Sequence, residues 1–236
     1  MRPRIGIPLC LDARGRWQTA RDYHYIDAAY ALAIESAGAT PFYLPPQSDP
    51  DALIGQFDGL LLPGGDDLLP PDPYPSGVVF DPVPESQLSF DSALLSAAIE
   101  RGTPVLAICY GMQLLALSAG GNLHYDIPTD LPEAGVHRLA QTDGRHLVRI
   151  EPNSRLASAL GEDPICVNSL HHQGVAAPGA EMRVCARAED GLIEAIEREG
   201  PHFCLGVQWH PEKLDDSEAL FRAFVAACTP TQDTEY

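Results

Sequence analysis

The chain has 236 residues, 45% hydrophobic and 20% charged, a globular make-up that excludes global disorder. Its 33 acidic residues against 15 basic ones leave a formal charge of −18, which argues against a nucleic-acid or anionic-membrane partner. Six cysteines, at 10, 109, 166, 185, 204 and 228, include no C-x-x-C pair, so neither a disulfide framework nor a zinc site is expected. Met1-Arg2-Pro3-Arg4 leads into only a short apolar run, so no signal peptide is expected and the chain is expected to be soluble and cytoplasmic. Gly102 to Tyr125 carries no charged residue and is long enough to span a bilayer. Pro104, Gln113, Asn122 and His124 interrupt it, and strand, turn and buried helix describe it better.

Ile5–Leu9 is an apolar run suited to a central strand. Apolar residues at 26, 29, 30, 33, 34 and 37 predict an amphipathic helix from Tyr23 to Ala37, stopped by Gly38. A short strand at Pro41–Leu44 and a brief helix from Asp51 to Phe57 lead to a third strand, Gly59–Leu62, which runs into Pro63-Gly64-Gly65-Asp66-Asp67. Leu68 to Pro84 reads as a surface loop. Helix is expected from Glu85 to Glu100, then an apolar strand at Pro104–Ile108 and a helix at Gly111–Ala119. Such alternation indicates a mostly parallel sheet with helices on both faces. In the second half His146–Ile150, Arg183–Arg187 and Leu192–Glu197 alternate more, with Asp190-Gly191 marking a hairpin. Phe203–Val207 returns to a buried-strand pattern, and Ser217–Ala227 closes as a helix. The expectation is one α/β domain over residues 1–228, with a small antiparallel addition in its C-terminal half and a polar tail over 229–236.

Val105-Leu106-Ala107-Ile108-Cys109-Tyr110-Gly111 sets a cysteine where a buried strand gives way to a helix. That place is the carboxyl edge of the sheet, where open α/β sheets put their ligands. Gly111 lets the backbone double back, and a helix N-terminus favours the thiolate. The plainer reading is one more buried thiol. Leu205-Gly206-Val207-Gln208-Trp209-His210-Pro211-Glu212 follows a second buried strand. A thiol needs a base and the base an orienting carboxylate, and His210 and Glu212, two apart in an extended segment, could meet through the imidazole. Together they suggest a Cys109–His210–Glu212 triad.

Ile-Cys-Tyr-Gly-Met-Gln followed by Gly-Val-Gln-Trp-His-Pro-Glu resembles the class I glutamine amidotransferase superfamily, and the likeness runs from Ile5 to the closing helix. It implies a flavodoxin-like parallel core and a thiol amidase that needs no metal or organic cofactor. It also implies an oxyanion hole from the Gly65 and Tyr110 N–H groups. Pro63-Gly64-Gly65-Asp66-Asp67 is similar to the stand-alone γ-glutamyl hydrolases rather than to the ammonia-donating members. Val167-Asn168-Ser169-Leu170-His171-His172-Gln173 resembles a loop of the γ-glutamyl-γ-aminobutyrate hydrolases of putrescine breakdown, which implies Ser169, Leu170 and His171 at the glutamyl group. Gln113, one helical turn after Cys109, is expected to reach the same head group. Tyr110 and His172 depart from the residues common in that branch, which leaves the amine open. No acidic or cysteine ligand stands beside His171-His172, so a zinc ion is not expected there.

The implied activity is hydrolysis of a small γ-glutamyl amide to glutamate and an amine. Three alternatives stay open: a glutaminase subunit feeding a synthetase, an inactive binding module on this scaffold, and a folate polyglutamate hydrolase. The oligomeric state is also open, a homodimer included.

Overall fold

The computed structural model describes residues 1–18, 20–139 and 144–229. Of the polar tail expected over 229–236, residues 230–236 lie outside the described residues. In chain order the strands are β1 (Arg4–Pro8), β2 (Cys10–Asp12), β3 (Tyr23–Tyr25), β4 (Thr40–Leu44), β5 (Gly59–Leu62), β6 (Val105–Ile108), β7 (Asn122–His124), β8 (Arg145–Ile150), β9 (Ile165–Asn168), β10 (Gly174–Ala177), β11 (Met182–Ala188), β12 (Ile193–Arg198) and β13 (Cys204–Val207). The helices are α1 (Ala28–Ser36), α2 (Pro50–Ile54), α3 (Glu85–Arg101), α4 (Tyr110–Ser118), α5 (Ile127–Asp130), α6 (Arg155–Leu160) and α7 (Glu218–Ala227).

β5, β6 and β13 are buried along their whole length, because both faces of the sheet are covered. The period of two divides their side chains between two cores. Ile5, Leu61, Leu106 and Ile108 pack with Ile34, Phe221 and Phe224 under α1 and α7. Leu60, Leu62, Val105 and Ala107 pack with Leu94, Leu95 and Leu115 under α3 and α4. The strand order β4-β1-β5-β6-β13-β12-β11-β8-β9 is parallel through β13 and antiparallel beyond it. The antiparallel strands therefore continue the central sheet and do not form a separate layer. The loops after β5, β6 and β13, three neighbours in the parallel part, open on one edge.

The helix expected from Tyr23 begins only at Ala28. Tyr23–Tyr25 instead pairs antiparallel with Cys10–Asp12 as a two-stranded ribbon, which suits its aromatic side chains. Asp27 then starts the helix by accepting from the Ala29 N–H at 3.0 Å.

Under α3, the buried Asp91 accepts from Tyr110 Oη at 3.1 Å and Gln87 Nε2 at 3.4 Å. Burial pushes its carboxyl up to about 7 in spite of these hydrogen bonds. A raised folded value means that stability is full below the unfolded value of about 4 and is lost as pH climbs through the folded one. Asp91→Asn, neutral throughout, should therefore gain Tm over the parent by a few degrees at pH 8 and by little at pH 4. A Tm difference that does not grow with pH would contradict this.

Candidate active site

Cys109 stands between β6 and α4 with φ 52° and ψ −106°, a backbone state that costs on the order of 1–3 kcal/mol for a residue with a Cβ. Its neighbours enforce it. The Cys109 N–H donates to Val207 O at 2.8 Å, while its carbonyl accepts from the Gln113 N–H at 3.1 Å. Gly111 completes the turn, since a Cβ there would lie 2.6 Å from the Leu62 carbonyl oxygen. The helix can seat on β5 only with glycine at that point.

β13 ends at Val207 and delivers His210 to the same edge. His210 Nδ1 lies 2.8 Å from Glu212 Oε1, and the Glu212 side chain is fully buried. Pro211–Lys213 is a 3-10 turn, so the contact is made across a turn and not along the extended segment that the sequence suggested. Asn168 clamps the backbone of His210, accepting its N–H and donating to its carbonyl, both at 2.8 Å. Burial by itself would lower the imidazole's pKa. The charge of the adjacent Cys109 and hydrogen bonds to Cys109 and Glu212 outweigh it and hold the ring at about 10. With Nδ1 on Glu212, Nε2 is left for the thiol.

Tyr30 adds a support the sequence did not single out. Its Oη accepts the Gly64 N–H at 2.9 Å and lies 3.5 Å from His210 Nδ1. A side chain at Gly64 has no room, because its Cβ would come within 2.7 Å of His210 Cε1. Gly64 is thus spent on Tyr30, and among the described residues no partner takes the N–H of Gly65. Gly65 packs beside Tyr110, whose own N–H opens α4 and has no helical partner. Both residues line a cleft of about 130 Å³ with Cys109 and Gln113.

Gln113 is held more tightly than its place one turn after Cys109 suggested. Its Nε2 donates to Gln208 Oε1 at 3.3 Å and to Gln173 O at 3.2 Å. Gln208 in turn directs Nε2 to the Cys109 sulfur at 3.5 Å. Leu170 and His171 line the cleft. Ser169 does not, because its buried hydroxyl turns away to donate to the His137 carbonyl at 2.6 Å. His172 stands at the rim between Asp67 and Asp126, 2.9 and 3.1 Å away, and its hydrogen bond to Asp67 raises its pKa against the cost of burial. Arg138 brings a cation to the same wall, in a polar loop where no sequence signal marked it. Asn168 and Gln208 were legible only as polar residues next to apolar runs.

Of the other five thiols, Cys10, Cys185, Cys204 and Cys228 are buried, and burial raises the pKa of each. Cys166 is exposed. It lies on β9, at the end of the strand order, where the first half of the strand is open to solvent.

Residues 3–212 match the Peptidase C26 family. The chain belongs to that family. It is 35% identical to the γ-glutamyl-γ-aminobutyrate hydrolase of Escherichia coli strain K12, over 96% of this chain and 93% of the relative. It is 36% identical to a provisionally named glutamine amidotransferase of Mycobacterium tuberculosis, over 97% of this chain and 75% of the relative. In fold it is similar to a Thermoplasma acidophilum protein provisionally named as a GMP synthase subunit, with a TM-score of 0.64 at 16% identity, covering 97% of this chain and 94% of the other. As a Peptidase C26 chain it is a class I glutamine amidotransferase-like hydrolase. None of the helices among the described residues is long and apolar enough to cross a membrane.

Proposed function

We propose that this Peptidase C26 chain hydrolyses γ-glutamyl amides through a thioester on Cys109. The observation that carries the reading is His210 standing between the Cys109 thiol and the buried Glu212, beside the cleft lined by Gly65, Tyr110 and Gln113. In the first half-reaction the thiolate Sγ attacks the γ-carbonyl carbon, and the Gly65 and Tyr110 N–H groups receive the oxyanion. The His210 imidazolium passes its Nε2 proton to the amide nitrogen, the C–N bond breaks and the amine leaves. His210, now neutral, takes a proton from water. The hydroxide attacks the thioester, the C–S bond breaks, and glutamate departs with the thiolate–imidazolium pair restored. Glu212 keeps Nδ1 protonated throughout.

The names of the E. coli and related enzymes support γ-glutamyl-γ-aminobutyrate or a similar γ-glutamyl amine as substrate. Arg138 at the cleft wall supports recognition of the glutamyl α-carboxylate. The rim carries Asp67 paired with His172, and Asp66 paired with Arg14 and Arg16 at 2.7 Å each. These ion pairs mute the acidic charge that would otherwise select cationic amines.

The test is glutamate release from a panel of γ-glutamyl amides, their α-glutamyl and β-aspartyl isomers, and L-glutamine. Turnover confined to γ-glutamyl compounds is expected, and equal cleavage of the isomers would overturn the pocket assignment. Ammonia release from L-glutamine as the dominant activity would favour the glutaminase alternative. Gln113→Ala should lower kcat/KM for γ-glutamyl substrates by roughly tenfold or more, the scale of one hydrogen bond to a charged group. Part of that loss should fall on kcat, because Gln113 also holds the Gln208 amide that faces the sulfur. An unchanged kcat/KM would remove Gln113 from the site.

A further inference from the structure

Behind the wall of the cleft, Glu194 of β12 is fully buried, and three imidazoles converge on its Oε1. His146 Nε2 lies at 3.2 Å, His137 Nδ1 at 3.4 Å and His171 Nε2 at 3.7 Å. The donor atoms of His137, His146 and Glu194 all fall within 4.8 Å of one another. We propose that His137, His146 and Glu194, with His171 as fourth group, bind a divalent transition-metal ion of the zinc class. The site adjoins the Cys109 cleft through His171, which also lines that cleft, and its binding does not depend on the substrate reading.

Proton accounting favours an ion. His137 is tied by Nε2 to Asp190 Oδ2 at 2.8 Å, and His171 by Nδ1 to the Gln173 carbonyl at 3.0 Å. In the neutral rings those bonds leave the lone pairs of His137 Nδ1 and His171 Nε2 turned toward the carboxylate and toward Ser169 Oγ, 3.5 and 3.3 Å away. Ser169, the neighbouring hydroxyl, has already given its proton to the His137 carbonyl. Among the described residues neither carboxylate oxygen of Glu194 and neither ring nitrogen of His146 has a hydrogen-bond partner. The only company this buried carboxylate keeps among the described residues is the imidazoles, at contact distance without hydrogen-bond geometry, an arrangement that ligands sharing one centre adopt.

The spacing agrees. Metal–ligand bonds of about 2.0–2.1 Å at tetrahedral angles put ligand atoms about 3.3 Å apart, which matches the 3.2 and 3.4 Å separations. His137 bound to a carboxylate and His171 to a backbone carbonyl are the outer partners that metal-bound histidines keep. Imidazole nitrogens with one carboxylate suit zinc over magnesium or calcium. The His146 side chain is 20% exposed and gives an entry path. The absence of acidic neighbours beside His171-His172 in the chain did not anticipate this set, because Glu194 arrives from another strand.

Such an ion would pin the loop that walls the cleft. His137 and His171 are joined by the His171 N–H to the His137 carbonyl at 3.3 Å, and Leu139 donates to Ser169 O at 3.2 Å.

The test uses the full chain, stripped with a chelator and titrated with Zn²⁺ alone, with bound metal and Tm measured. Titrating Cys109→Ala in parallel removes uptake by the catalytic thiol. One zinc per chain and a raised Tm are expected in both. Co²⁺ in the Cys109→Ala chain should give the strong visible bands of a tetrahedral site without thiolate charge transfer, a readout that needs no change to the cluster. Glu194→Gln and His146→Ala should bind less than one-tenth of the parent's zinc. Asp190→Asn, which only loosens an outer partner, should weaken zinc roughly 10–100-fold. A Cys109→Ala chain that takes up no zinc and shows no tetrahedral cobalt spectrum would overturn the proposal and leave the cluster a protonated hydrogen-bond network. Full zinc binding by Glu194→Gln would overturn it equally.

Discussion

Cys109→Ala is expected to lower turnover of γ-glutamyl amides by more than about a thousandfold, since the covalent route ends with the sulfur. Little stability should go with it. The side chain is small, and alanine also relieves none of the strain, because φ 52° is imposed by the hydrogen bonds to Val207 and Gln113. Cys109→Gly should raise Tm relative to Cys109→Ala, as glycine enters that backbone region without cost. Iodoacetamide should label Cys109 and the exposed Cys166, and spare Cys10, Cys185, Cys204 and Cys228. The two reactive thiols separate on adding a slowly turned-over γ-glutamyl amide, which should protect Cys109 alone. Retained turnover in the alanine variant, or protection that falls on Cys166, would sink the nucleophile assignment.

Glu212→Gln is expected to cut kcat/KM by about a hundredfold or more at pH 8, with the loss growing as pH rises. The sign follows from His210. Its ring is held at about 10, so the imidazolium, the group that the proposed route uses to protonate the leaving amine, is present at neutral pH and is lost as pH climbs through that value. Removing the carboxylate at 2.8 Å withdraws one of the causes that raise the ring, so the alkaline limb should move to lower pH. A profile of kcat/KM against pH reads this directly. An unmoved alkaline limb would mean that Glu212 orients the turn around Pro211 and leaves the proton unaffected. Asn168→Ala, which frees the backbone of His210 without touching its charge partners, should lower kcat and leave the limb in place.

The parallel core and the meeting of Cys109, His210 and Glu212 at one sheet edge were legible because their signals are local. Apolar runs at Gly59–Leu62, Val105–Ile108 and Cys204–Val207 end in the loops that hold Gly65, Cys109 and His210, and burial on both faces leaves such runs little choice but adjacent central strands. Gly102 ends α3 by adopting the left-handed φ of 67°. The ribbon of Cys10–Asp12 with Tyr23–Tyr25 was illegible, since three-residue strands carry too few side chains to show a period. Tyr30 looked like one more apolar position on a helix face, yet its hydroxyl reaches Gly64 in the site. The histidine–glutamate cluster was invisible for a different reason. Its members lie on a loop, β8 and β12, and β11 separates those two strands in the sheet.

The place of β13 in the sheet has a bearing on how this chain is made. Its register sets Val207 beside Ile108, so His210 reaches Cys109 only when the last strand among the described residues has been translated. A ribosome-bound chain that has emerged as far as Pro201 already carries Cys109 and the Gly65 loop, but has no His210, no Glu212 and no neighbour on one side of β6. Until His210 emerges no imidazole stands beside Cys109, and β6 is an open edge until β13 slots in beside it. Closing that gap over so long a stretch of sequence is slow compared with forming α3 or α4, and this ties the meeting of Cys109 and His210 to the completion of the sheet.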